Sequence, residues 1–311
     1  MNIKNSTSIK IIALFLLGVL FLSIRSSEMA EVEVSSGMSA PEIAETLSST
    51  GIIGSKNAFL FFLRITGKSK DLKAGTYILN KKMNYFSLVR KLVRGSEIFI
   101  RVTIPEGFTA EQIGRRLWSE GIITDADEFT DTVVAKDLRG FLFPETYNLS
   151  RGRTVEEVID IMINQFNMVF GESYRKRAGE LGFTVKKIVT LASLIEKEAK
   201  IPEERPVISA IFHSRLKKRK YLESCASVLF AIGEHKKKLV YKDLEIDSPY
   251  NTYRHFGLPP TPICNPGKAS LEAALFPADT DYLYFFSKGA GSHIFNEKYE
   301  DHLKMQKDSS R

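Results

Sequence analysis

Two carboxylic acids, Glu196 and Glu198, close the apolar run TVKKIVTLASLIEKEAK from Thr184 to Lys200. Read as a helix at about 100° per residue, the run aligns Val185, Ile188, Val189, Ala192, Glu196 and Ala199 on one stripe. Every member but Glu196 is apolar. Desolvation disfavours a charged carboxylate, so a Glu on a core-facing stripe is kept protonated. Near neutral pH such a group is a general acid for a leaving group. A shorter stripe, Leu191 and Leu194, runs on to Glu198, so periodicity leaves the choice open. About 200° of helix separates the two acids, too far round for a close pair. The plain alternative is a helix Glu neutralised by a buried Lys or Arg.

Other chemistries find less support. The cysteines are Cys225 and Cys264, and the five histidines (His213, His235, His255, His293, His302) show no ligand spacing with them. No metal site and no cofactor is therefore expected. A net charge of +7 on 311 residues favours an anionic polymer or membrane surface only weakly. With no recognition helix, zinc pattern or aromatic RNA-binding signature, no nucleic-acid partner is expected. The basic runs Arg215–Lys220 and Lys236–Lys238 read as solvated faces. Hydrophobic content of 43% and charged content of 26% are those of a globular protein with a substantial core.

The elements that must position these acids begin after an apolar segment. Ile11–Ile24 is apolar apart from Ser23 and follows Lys4 and Lys10. With Ile9, and with Lys10 and Arg25 snorkelling, it can span a bilayer. A cleaved signal peptide is the rival reading, but RSSEMAEV lacks an A-x-A-like site. The expectation is an uncleaved anchor over residues 9–27, with residues 1–8 in the cytoplasm and the rest exported.

An internal repeat follows. At a constant offset of 70, Gly37, Ala40, Ile43, Leu47, Ser49, Gly51, Ile52, Ile53 and Phe59 recur from Gly107 to Phe129. Leu72, Thr76, Tyr77 and Leu79 match Leu142, Thr146, Tyr147 and Leu149 in the same way. Two copies are too few for a solenoid and imply a duplicated small α+β module. Its β-helix-β rhythm, ending in LKAGTYIL, is similar to LysM-type glycan-binding domains; a packing module that only positions its neighbour is the alternative. Beyond it, Val155–Phe170 and Val207–Leu216 read as helices, and the last third is rich in loops. Pro259, Pro260, Pro262 and Pro266 stiffen one loop, which reads as a groove wall.

The motif order TIPEGFT, FLFPETY, LASLIEKEA, LESCASV, YNTY, GLPPTPICNPG, YLYFF and GSHIF resembles the endolytic murein transglycosylases of the YceG-like family. The resemblance covers roughly Val34 to His302. It implies a single-pass inner-membrane protein with a LysM-like part and an extracytoplasmic catalytic domain. The implied activity is internal cleavage of peptidoglycan glycan strands between N-acetylmuramic acid and N-acetylglucosamine, leaving 1,6-anhydro-muramic ends. Nascent strands are the expected substrate, and peptidoglycan synthases the expected neighbours. The resemblance puts the catalytic Glu at Glu196, and Glu223, Ser224, Asn251, Thr252 and Tyr253 are expected to line the cleft. For each of those five a structural hydrogen bond is the alternative. The chain departs from the family where Cys225-Ala226 replaces a common Asp-Pro, where Cys264 replaces a small residue, and at Arg139 in place of an acid. In an oxidising compartment the two thiols are expected either to form a Cys225–Cys264 disulfide or to stay free.

The resulting expectation is an α+β chain. It comprises the anchor, a LysM-like module over 31–100, and a mixed α+β catalytic domain over 101–311 with a central Glu-bearing helix, in which 101–150 echoes 31–80. Two rival functions remain. One is a glycan-binding scaffold without activity; the other is a muramidase that leaves reducing ends.

Overall fold

The computed structural model describes residues 29–309 apart from 36, 96–98, 234–235, 237–238 and 290. The expected tail and anchor lie outside these residues. Among the described residues no helix is long and apolar enough to cross a membrane. The chain divides into two units, one holding the described residues up to Ile100 with Asn148–Gly152, the other Arg101–Tyr147 with the residues from Arg153 onward.

In the first unit, β1 (Met29–Val34) is followed by α1 (Ala40–Ser49), α2 (Lys56–Thr66), β2 (Gly75–Asn80) and α3 (Tyr85–Arg94). Local chemistry sets the ends. Ser39 and Glu42 form a capping box on α1, and the Ser55 and Asn84 side chains cap α2 and α3. Strands β1 and β2 pair antiparallel, from Met29 opposite Asn80 to Val34 opposite Gly75. They bury Val32, Val34, Tyr77 and Leu79 against Leu47, Phe59 and Leu63 of the helices.

The order strand, helix, helix, strand returns as β3 (Phe99–Thr103), α4 (Ala110–Ser119), α5 (Ala126–Ala135) and β4 (Thr146–Ser150). Residues matched across the repeat do matched work. Gly51 and Gly121 take positive φ of 73° and 68°, a region open to glycine, where their helices end. The N–H groups of Ile52 and Ile122 then return to the carbonyls of Leu47 and Leu117, each at 2.9 Å. Tyr77 and Tyr147 are buried, and each donates its hydroxyl to the carbonyl four residues back, Lys73 at 2.6 Å and Phe143 at 2.5 Å. Burial pushes the Tyr147 hydroxyl pKa up, so it stays a neutral donor.

The second unit continues with α6 (Val155–Val169), α7 (Glu172–Glu180), α8 (Val185–Glu198), α9 (Arg205–Lys217), α10 (Cys225–Ile232), α11 (Lys268–Leu275), the hairpin β5 (Tyr284–Gly289) and β6 (Ser292–Asn296), and α12 (Tyr299–Ser309). Helix α8 runs through its core, packed on α7, α9, α10 and, most extensively, α11. Every residue from Ile188 to Ile195 is buried. The architecture is mixed α+β, with a Glu-bearing helix surrounded by other helices.

Candidate active site

Helix α8 begins at Thr184, whose hydroxyl accepts the Lys187 N–H, and ends at Ala199, which turns to extended backbone. Its last turn carries both acids. Because Ile188–Ile195 is buried all round, no apolar stripe distinguishes a core face from a cleft face. The expected selection of Glu196 by its stripe therefore fails, for the physical reason that the helix is enclosed on every side. Both Glu196 and Glu198 are half-buried, and their neighbours tell them apart.

Glu196 faces the Pro-rich loop. Its Oε2 accepts the N–H of Gly267, the residue preceding α11, at 3.0 Å. Glu106 lies against the same glycine: a Cβ on Gly267 would fall 1.8 Å from Glu106 Oε1. Loss of water at this contact, then the nearby charge of Glu196, raises the Glu106 pKa, while Arg205 pulls it down. The loop itself is fixed by Asn265. Its Nδ2 and N–H donate to the Phe108 carbonyl at 2.9 and 2.8 Å, its Oδ1 accepts the Leu142 N–H at 2.9 Å, and its carbonyl accepts the Gly107 N–H at 2.9 Å. One buried side chain thus joins the TIPEGF, FLFPETY and NPG motifs. Ser193, inside α8, adds a further tie by accepting the Ile263 N–H at 3.1 Å.

Glu198 faces the other group of motifs. Ser224 donates its hydroxyl to Glu198 Oε1 at 2.5 Å, and the Ala226 N–H, in the first turn of α10, reaches the same oxygen at 3.3 Å. Oε2 of Glu198 has no hydrogen-bond partner among the described residues. Tyr253 and Cys225 pair through Oη and Sγ at 3.2 Å, and both lie within the field of Glu198. Burial is the main cause that pushes both of their pKa values up, so at neutral pH they stay uncharged.

The expected cleft residues divide by role. Asn251 and Thr252 are 0% and 2% exposed. Asn251 donates to the carbonyls of Leu244 and Ile246, both at 2.9 Å, and accepts the Tyr253 N–H at 3.0 Å. Thr252 Oγ1 accepts the Ser224 N–H at 2.9 Å and pairs with Ser227 at 2.8 Å. These two side chains hold the YNTY turn against the LESCAS segment. Ser224 is buried and aims its hydroxyl at Glu198. Glu223 is exposed, held at a positive φ of 54° and tied by Oε2 to the buried Arg215 at 2.8 Å. Glu198 is therefore bonded by Ser224 and the Ala226 N–H, with Cys225 and Tyr253 within reach of its charge, and Glu196 lies with Glu106 and Gly267.

Of the two alternatives for Cys225 and Cys264, a disulfide or free groups, the structure has the second: both thiols are free. Cys264 is buried and donates its thiol to the Ser193 carbonyl at 3.4 Å, whereas Cys225 is exposed and engages Tyr253. The two lie in the two different groups that α8 separates. Among the described residues no cluster of three or more His, Cys, Asp or Glu is placed to hold a metal.

The model of the YceG-like family matches residues 32–308. The chain is 37% identical over 307 residues to the endolytic murein transglycosylase of Bacillus subtilis (strain 168), covering 90% of this chain and 85% of that protein. It is 29% identical over 319 residues to the endolytic murein transglycosylase of Streptococcus pneumoniae serotype 2 (strain D39 / NCTC 7466), covering 89% of this chain and 58% of the other. Among solved structures, a yceG-like protein of Listeria monocytogenes superposes with a TM-score of 0.61 at 34% identity, covering 90% of this chain and 100% of that one.

Proposed function

We propose that this chain, which belongs to the YceG-like family, is an endolytic lytic transglycosylase of peptidoglycan whose proton donor is Glu198. The observation that carries the residue assignment is the pair of donors on Glu198 Oε1, Ser224 and the Ala226 N–H, with the Tyr253–Cys225 pair within reach of its charge. Two donors fix Oε1, which leaves Oε2 to meet a substrate oxygen. Glu196 is a neighbouring carboxylate with a different task.

The chemistry needs one acid. Glycosidases that use water require a second carboxylate to activate it or to form a covalent intermediate. Here the protonated Glu198 gives its proton to the glycosidic oxygen between N-acetylmuramic acid and N-acetylglucosamine as the C1–O bond breaks. The resulting carboxylate takes the proton of the muramic C6 hydroxyl, whose oxygen closes on C1. The product is a 1,6-anhydro end, no water is consumed, and the Glu is returned protonated. Tyr253, neutral beside it, is a donor for a sugar oxygen.

The strand-helix-helix-strand order of the first module supports a LysM-like, glycan-holding role. The apolar run Ile11–Ile24 behind Lys4 and Lys10 supports a membrane anchor, with the catalytic unit on the outer side. An endolytic enzyme tethered there meets strands as they are polymerised, beside the synthases. Mass analysis of strands digested by the full-length protein tests the reading. Anhydro ends, one water lighter than reducing ends, are expected. Reducing ends would make the protein a muramidase, and uncut strands a binding scaffold.

A further inference from the structure

A pair of stacked rings lies on the two segments that carry the Glu198 group. Tyr221 and Phe256 lie nearly parallel, with centroids 3.9 Å apart and planes 11° from each other. Phe256 is 63% exposed, so beyond its contact with Tyr221 much of the ring is open to water. Leaving that much aromatic surface wet forgoes the stabilisation of burying it.

The rings come from the two segments that build the candidate site. Tyr221 lies three residues before Ser224, and Phe256 three residues after Tyr253. The segments are joined where the N–H groups of Glu223 and Ser224 reach the carbonyl and hydroxyl of Thr252, at 3.2 and 2.9 Å. Both rings sit on pinned backbone. The buried Arg215 donates to the Tyr221 carbonyl at 3.1 Å, and the His255 N–H donates to the Asn251 carbonyl at 3.0 Å. A rigid ring loses little freedom when a ligand settles on it.

Size and surroundings select the occupant. A protein partner needs roughly 800 Å² on each side, far more than two rings present. A hexosamine ring is the right size. It has a face of C–H groups that rests on the electron-rich face of an aromatic ring, and a rim of hydroxyls and amide for neighbouring polar groups. Glu223, two residues after Tyr221, and Arg254, two before Phe256, carry such groups, with one Glu223 oxygen taken by Arg215 and one Arg254 nitrogen by the Glu245 carbonyl.

We propose that the Tyr221–Phe256 stack is a saccharide platform that holds one N-acetylhexosamine ring of the glycan strand next to the bond being cut. The inference rests on the peptidoglycan-cutting reading and names a subsite for it. The test uses the full-length protein carrying Glu198→Gln, so that strands are bound and not consumed, titrated calorimetrically with uncrosslinked glycan strands. Phe256→Leu keeps apolar bulk and removes the π face; Phe256→Tyr keeps both. The expected result is binding weakened about tenfold by Leu, with Tyr within threefold of the parent and melting temperatures unchanged. A Leu variant within threefold of the parent overturns the platform, as does a Tyr variant as weak as Leu. Cleavage by the unaltered protein separates the two readings. Anhydro products together with an indifferent Phe256 sink the platform alone, whereas a parent that neither binds nor cuts strands sinks both.

Discussion

Ser224 and Glu198 share a hydrogen bond of 2.5 Å across the gap between the end of α8 and the start of α10. It fixes one carboxylate oxygen and leaves the other free, while Glu196, two residues earlier, is held by Gly267 on a different side of the helix. A proton donor in a cleft must be both held and reachable. Glu198→Gln is therefore expected to lower strand cleavage by at least about a thousandfold with the fold intact. Glu196→Gln, which keeps an acceptor for the Gly267 N–H, is expected to retain more than about a tenth of the rate. Product release from purified strands, followed by chromatography, measures both. If the two variants exchange these outcomes, the proton donor lies on the Gly267 side.

Ser224 is a positioning residue. Without its hydroxyl, Glu198 keeps only the longer Ala226 N–H bond at 3.3 Å, so the carboxyl samples unproductive orientations. Ser224→Ala is expected to lower kcat about tenfold with little change in KM, and Ser224→Thr to restore most of it. Equal loss in the Thr variant would mean that packing rather than the hydroxyl matters.

The repeat was open to reading because its matched positions serve local turns. Gly51 and Gly121 end helices at positive φ, and the Ile-Ile pairs after them fill the core. The choice between Glu196 and Glu198 was not, since a stripe orients a helix only when one side meets water, and α8 has no such side from Ile188 to Ile195. Asn251 and Thr252 attract notice as polar residues in a motif, yet pinning a turn and binding a sugar call for the same residue types. Asn265 gave no signal. Its partners Leu142 and Phe108 lie 123 and 157 residues away, and no local pattern carries such contacts. Gly267 resembles a turn glycine, but its φ is −76°, and what it supplies is room for Glu106.

That room predicts a coupled pair. Gly267→Ala would set a Cβ on the Glu106 carboxyl and is expected to lower stability by about 1–3 kcal/mol. In a Glu106→Ala background most of that loss is expected to vanish. Gly140→Ala is the contrasting case: at φ +84°, with Pro262 Cβ at 2.4 Å, both backbone and a rigid ring oppose it. Its loss is expected to be larger and indifferent to Glu106. Urea melts of the three single variants and the two doubles would show either pattern, and an uncoupled Gly267→Ala would mean that Glu106 simply swings aside.

The thiols differ in the same measurable way. Denatured, unreduced protein is expected to show two titratable thiols, because neither is bridged. In the native protein an alkylating reagent is expected to modify Cys225 alone. The modification should be slow at neutral pH and faster as pH rises, since burial and the nearby Glu198 push that thiol up. Cys264, buried and bonded to the Ser193 carbonyl, is expected to react only on unfolding. Peptide mass mapping after a timed exposure distinguishes the two sites, and equal labelling of both would contradict the packing of Cys264.

Glu106 gives the fold a pH dependence of definite sign. Its folded pKa lies above the ordinary value of 4.5, because its contact with Gly267 removes water and Glu196 adds negative charge, with Arg205 opposing. The folded chain therefore binds this proton more tightly than the unfolded chain does. The stabilisation is complete below the unfolded pKa and is lost as pH rises through the folded one. Glu106→Gln stays neutral throughout, so it escapes that loss. The melting temperature of the variant minus that of the parent is expected to be smallest below about pH 4.5 and to grow as pH rises towards neutral. Melts across that range, at fixed ionic strength, measure the difference directly. A flat difference, or one that shrinks as pH rises, would show that the Glu106 carboxyl ionises as freely in the folded chain as in the unfolded one.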